Sequence, residues 1–274
     1  MTNYRTQQAL IAMIRRVQSA RGRRQAGLFS IEGTRLVERA LRADAPLEAV
    51  LVADSLIRSG EPRARELKAA LQLAGCEIAV APDDLLRELT EGRDLGLILG
   101  LVRLPPALGL ADVLRDQGLS QQKPPLLLAA IDIVDPGNVG ALTRTAHAGG
   151  AVALAAVGVS DPYHSRATRI SRGSIFRLPI ITYETAAALL ADLRHHGIAA
   201  AGTVARGGTS LPDVIWPRAG SAILMGNEAE GLPPEIEAAL DFSITIPMPG
   251  DVDSYSVNAA AAIILYTAAR CRET

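Results

Sequence analysis

The alternation of apolar and polar positions divides the chain into two runs of elements. Early on, Leu10, Ile11, Ile14 and Val17 recur at helical spacing and predict a helix over Gln7 to Val17. RGRRQAG, Arg21 to Gly27, interrupts that pattern. LFSIEG then predicts a short strand, TRLVERALRA a helix, and LEAVLVAD, Leu47 to Asp54, a second strand. RARELKAALQLAG reads as a helix closed by Gly75, and CEIAVA as a strand. DDLLRELT opens with two acids, suited to the positive end of a helix, and GLILGLVRL closes a small α/β unit at Leu104.

Pro105, Pro106, Gly109, Gly118, Pro124 and Pro125 punctuate the next stretch and mark a linker over 105–124, with room for a helix from Leu110 to Asp116. This divides the chain into domains 1–104 and 125–274. The second begins with PLLLAAIDIVD, a near-continuous apolar run of the kind buried on both faces of a sheet. DPGNVG turns into the helix ALTRTAHAGG, followed by the strand AVALAAVG and a polar, arginine-rich stretch, DPYHSRATRISRGSIFRLPI. Strand LPIIT, helix ETAAALLADLRHHG and strand IAAAGTV lead through ARGGTSLP to a strand over Ala222 to Met225. A Gly-flanked acidic loop (Gly226 to Gly231), a Pro-started helix near Pro233, a strand over Phe242 to Ile246, a loop and a small-residue helix complete the chain. Such alternation predicts a parallel sheet covered on both faces. Strands that open at their carboxyl ends into polar, Gly-containing loops are what an open α/β sheet uses to hold a ligand, although ordinary strand–helix connections look the same.

Composition narrows the options. At 274 residues and 49% hydrophobic, the chain has material for two cores, built from Ala, Leu, Val and Ile because aromatics reach only 3%. No apolar run reaches membrane-spanning length, and the N-terminal basic residues follow the apolar ones instead of preceding them, unlike a signal peptide. Cys76 and Cys271 are isolated, which predicts reduced thiols, a cytoplasmic location and no structural metal. Net charge is −1, yet Arg5, Arg15, Arg16, Arg21, Arg23, Arg24, Arg35, Arg39 and Arg42 face only Glu32 and Glu38 in the first 43 residues. That basic arm is either a phosphate-contacting surface, with Arg21, Arg23 and Arg24 at its centre, or a solvated helix face.

Three stretches carry a resemblance. IDIVDPGNVGALTRTAHAGGA, MGNEAEGL and SITIPMPGDVDSYSVNAAAAIILY are similar, in that order, to the three motifs of the SpoU/TrmH branch of the SPOUT RNA methyltransferases. SIEG, Ser30 to Gly33, resembles the start of the substrate-binding domain that precedes many of their catalytic domains. The resemblance implies a small α/β substrate-binding domain followed by a knotted, parallel-sheet methyltransferase domain. It also implies S-adenosylmethionine as donor, a ribose 2′-hydroxyl of RNA, most readily ribosomal RNA, as acceptor, and a homodimer packed through the C-terminal domain.

Carried over by motif, Asn138, Arg144, Glu228, Ser254 and Ser256 are expected in the active site, with Glu228 orienting Arg144. Gly226, Gly231, Ile246, Met248 and Tyr255 are expected to line the donor. Arginine is often assigned as general base in this family. A guanidinium stays protonated at ordinary pH, however, so stabilising an alkoxide and gripping a phosphate suit it as well. Asn138 stands at a helix start, where a capping role would also explain it. Motif three departs from the family, with Ser256 where asparagine is usual; Asn258 lies two residues on, about 200° round a helix. Arg166, Arg169 and Arg172 recur every third residue and form either an RNA-facing stripe or a solvated face. No dinucleotide fingerprint is present and no histidine shows a catalytic pattern. Two other readings are a non-catalytic RNA-binding or ribosome-assembly relative and a tRNA 2′-O-methyltransferase.

Overall fold

The computed structural model describes residues 6–93, 95–116, 124–249 and 253–271. The chain forms two compact units, one of residues up to Pro106 together with Tyr163–Phe176, the other of Ala107–Pro162 and the chain from Arg177 onward.

In the first unit, α1 (Gln7–Arg16) is capped by Thr6, and α2 (Ala20–Ala26) is capped by Ser19 and stopped by Gly27 at φ 65°. The segment RGRRQA, expected to be an interruption, is therefore a helix whose two caps replace an apolar stripe. β1 (Leu28–Glu32), α3 (Thr34–Arg42), β2 (Leu47–Ala53), α4 (Asp54–Arg58), α5 (Pro62–Leu73), β3 (Glu77–Ala81), α6 (Asp83–Leu89) and β4 (Ile98–Arg103) follow. The strands order as β1-β4-β2-β3, with β4 antiparallel to both neighbours and β2 parallel to β3. Because strand side chains alternate, Phe29, Ile31, Val50 and Val52 pack with α3 on one face, while Leu28, Leu51, Leu99 and Leu101 pack with α1 on the other.

In the second unit, α7 (Leu110–Asp116) occupies part of the expected linker and buries Leu110 and Val113 in this unit's core. In chain order come β5 (Leu126–Ile131), α8 (Pro136–Ala148), β6 (Ala153–Val157), then α9 (Ser165–Ile170), which belongs to the first unit, and β7 (Ile180–Tyr183), α10 (Ala186–His195), β8 (Ala199–Thr203) and β9 (Thr209–Ser210). It ends with β10 (Ser221–Met225), α11 (Pro234–Glu237), β11 (Phe242–Thr245) and α12 (Val257–Cys271). The seven strands are all parallel, ordered β7-β6-β5-β10-β8-β11-β9. Every residue of β5, β6 and β10 is buried, as their unbroken apolar runs require. The strand order reverses between β5 and β10, so loops at the carboxyl ends diverge there and leave a crevice. Among the described residues, no helix is long and apolar enough to cross a membrane.

The segment from Tyr163 to Phe176, which the sequence places with the methyltransferase motifs, belongs to the first unit's core. Tyr163 and Phe176 lie 5.1 and 6.4 Å from the ring of Phe29, and Thr168 is fully buried beside β1.

Candidate active site at the carboxyl edge of the parallel sheet

A cavity of about 810 Å³ opens where β8, β10 and β11 end. That volume suits a nucleoside-sized ligand. Gly226, Gly231, Ile246, Met248 and Tyr255, expected around a donor, all line it, as do Asn138, Glu228, Ser254 and Ser256.

The acidic loop after β10 is held by its own backbone. Asn227 and Gly231 exchange N–H to carbonyl bonds of 3.0 and 2.9 Å. A Cβ on residue 226 would lie 2.3 Å from the Gly231 carbonyl carbon, so only glycine allows this closure. The Asn227 side chain accepts from Ala229 N at 2.9 Å and donates to Asp132 O at 3.0 Å, tying the loop to the one after β5. Sequence reasoning passed over Asn227; its Asx-turn position inside a Gly-flanked loop was the available signal.

Asp135 caps α8, accepting from Gly137 N at 2.7 Å, and Pro136 fills the first helical position. The capping role considered for Asn138 is thus already filled. Asn138 Nδ2 instead donates to Glu228 Oε1 at 2.7 Å, a charge-assisted bond joining the first motif to the second. Glu228 was expected to orient Arg144; the structure gives it Asn138 as partner. Arg144 is exposed on α8 and lies outside the lining of its own chain's cavity. Ser256 accepts from Ala259 N at 3.3 Å and acts as the amino-terminal cap of α12. Serine at this position therefore has a structural reason that leaves its hydroxyl proton available to donate.

Among the described residues, the charged groups lining the cavity are mostly acidic: Glu228, Glu230, Glu237 and Asp253, with Arg206 as the guanidinium. Arg206, on the loop after β8, was also missed, because nothing in ARGGTSLP distinguishes it from an ordinary loop arginine. Leu232, Ile244, Ile246 and Met248 supply apolar wall.

The arginines expected to meet RNA fall into distinct environments. Arg21 and Arg24 are exposed on α2. Arg23 is buried and donates to the carbonyls of Val17 and Gln18, both at 2.9 Å, so it closes the end of α1 and is corrected to a structural role. Arg169 is likewise corrected: it bonds Glu32 at 2.7 Å, and Glu32, almost wholly buried, also receives Arg93 at 3.1 Å. α9 ends at Ile170 and Arg172 has φ 52°, so Arg166, Arg169 and Arg172 share no helical stripe. Arg166 and Arg172 are exposed, and the Arg172 carbonyl accepts from Arg39.

Residues 125–266 match the SpoU rRNA methylase family, and residues 9–93 an MRM3-like substrate-binding domain. The chain is a member of the SpoU rRNA methylase family. Among its relatives, the 23S rRNA (guanosine(2553)-2′-O)-methyltransferase RlmP of Bacillus subtilis is 25% identical, covering 92% of both chains. A 23S rRNA (uridine(2479)-2′-O)-methyltransferase of Streptomyces viridochromogenes is 30% identical, covering 91% of this chain and 85% of the relative. Among solved structures, the SpoU methyltransferase AviRb from Streptomyces viridochromogenes, in complex with AdoMet, superposes with a TM-score of 0.82. That match has 27% identity and covers 100% of this chain and 99% of AviRb. Both of this family member's units therefore have counterparts in proteins of the same build.

Proposed function

We propose that this chain methylates a ribose 2′-hydroxyl of ribosomal RNA, most readily 23S rRNA, with S-adenosylmethionine as donor. One observation carries the reading. Three motifs separated by up to about a hundred residues in sequence meet at one cavity through Asn138, Glu228 and Ser254–Ser256. Family membership supplies the reaction class, and the cavity fits the donor: apolar wall on one side, loop backbone on the other, and an excess of carboxylates suited to a positively charged ligand. When bound, the sulfonium supplies an electrophilic methyl group.

The chain's own residues must then bind and place a sugar hydroxyl in line with that methyl. Glu228 fixes the Asn138 carboxamide, so its remaining polar atoms are oriented before substrate arrives. Ser254 and Ser256 offer hydroxyls at the amino end of α12, where exposed backbone N–H groups favour developing negative charge. The same carboxylates favour the cationic donor over its uncharged thioether product and so promote product release.

Arg144 completes the site from a second copy. Its exposed position on α8, outside its own cavity, suits delivery across a homodimer built through the parallel-sheet unit, where exposed Val134 and Tyr266 supply apolar contact. Delivered so, the guanidinium grips the adjacent phosphate and stabilises the alkoxide that develops as the hydroxyl proton is lost to water while the oxygen takes the methyl group. The first unit holds the RNA, with Arg21 and Arg24 available to phosphates.

The test is calorimetric titration of the purified protein with S-adenosylmethionine, followed by mass mapping of ribose methylation in rRNA from cells with and without the gene. Donor binding and one rRNA ribose that loses its methyl group are expected. Donor binding without any change in rRNA would favour a tRNA substrate or a non-catalytic RNA-binding role.

A further inference from the structure

The helices whose amino ends face the cavity are also joined beyond it. Thr145 on α8 donates through Oγ1 to Oδ1 of Asn258 on α12 at 2.7 Å. Thr145 stands seven residues after Asn138, about 700° and so nearly two full turns, which places both side chains on one stripe of α8. That stripe meets the acidic loop through Asn138 and α12 through Thr145.

One turn further along α8, a Cβ on Gly149 would stand 3.0 Å from the Cβ of Leu265. Leu265 lies seven residues past Asn258 on α12. The contacts therefore advance in the same sense along both helices, and both amino ends come to the cavity. Apolar contact at the Gly149 end sets how near the helices approach but leaves rotation about each axis soft. A hydrogen bond is directional and fixes that rotation.

We propose that Thr145 and Asn258 are a positioning couple whose bond sets α8 against α12, holding Asn138 in register with Ser254 and Ser256. This rests on the methyl-transfer reading above. The two polar side chains at the start of α12 divide the work: Ser256 caps the helix, and Asn258 links it to α8. Neither member of the couple lines the cavity, so neither touches the donor.

The experiment compares wild type, Thr145→Val, Asn258→Leu and the double variant, with Thr145→Ser as the conservative control. Steady-state methyl transfer to rRNA, calorimetric donor affinity and thermal midpoint are measured for each. Each single variant should lose about ten- to a hundred-fold in kcat through misplacement, with donor affinity unchanged. The double variant should lose no more than the worse single one, and Thr145→Ser should stay close to wild type. Additive losses, or donor affinity falling in step with kcat, would overturn the couple and leave the methyl-transfer reading intact. A wild type that binds donor but methylates no rRNA would overturn both. Variants that unfold are replaced by Thr145→Ala and Asn258→Ser, for which the same non-additivity is expected.

Discussion

Both sheets are built from buried aliphatic strands, yet the cavity of about 810 Å³ belongs to the second. In the second unit all seven strands run the same way, so the loops after β5, β8, β10 and β11 gather at one edge. In the first, β4 runs against β1 and β2, and loop ends are shared between both edges. Strand direction, more than residue content, decides where backbone donors and carboxylates can converge. The mixed sheet instead uses its charges to hold segments together, as Glu32 does with Arg93 and Arg169.

The sharpest way to break this contrast lies in the parallel unit. Glu228→Ala, which frees Asn138, should lower methyl transfer by about a hundredfold while the thermal midpoint stays near wild type. Arg144→Ala should be as damaging to turnover while donor binding is retained. Mixing the two variants should restore part of the activity if Arg144 acts across a dimer; mixed dimers no more active than either parent would remove that assignment.

The next effect belongs to the mixed-sheet unit. Glu32→Ala removes the buried carboxylate that Arg93 and Arg169 share; Arg93 keeps Glu91, and the loss should be about 1–3 kcal/mol of stability, read by denaturant unfolding, with calorimetric donor affinity unaffected. A smaller effect separates neighbouring arginines. Replacing Arg21 and Arg24 by alanine should weaken RNA binding and reduce the salt slope by about two, whereas Arg23→Ala should lower the thermal midpoint and leave the slope unchanged. An unchanged slope for the first pair would take α2 off the RNA surface.

The smallest effect is acid-side. The Arg63 guanidinium bonded to Glu38 holds that carboxyl below its ordinary range. A lowered value means stability present above the ordinary carboxylate range and lost as pH falls through the folded value. Because the Arg63 end of the pair is solvent-exposed, only a small loss of stability is expected below about pH 4, read as a shift in thermal midpoint, and Glu38→Gln should abolish that part of the pH dependence.

Much of this architecture was legible in the pattern of residues. Unbroken apolar runs such as LLLAAI mark strands buried on both faces, and Gly-flanked polar loops after them mark the cavity. What stayed hidden is long-range. α2 has no apolar stripe, because its buried residues are Gly22 and Arg23, and it rests on its caps. Arg169 looked like part of a surface stripe because its partner, Glu32, lies 137 residues away. Asn138 resembled a cap until Asp135 proved to occupy that position, and no local signal ties Thr145 to Asn258, 113 residues later.

The stretch between Pro162 and Arg177 has a further consequence. The backbone visits the mixed-sheet unit, leaves it after Pro106, and comes back once more to lay Tyr163 and Phe176 beside Phe29. A single cut in the gene cannot lift one unit cleanly from the other. Any graft of a foreign recognition module in front of this catalytic half would inherit an orphaned aromatic strap, and would need a matching seat for it before the hybrid could fold.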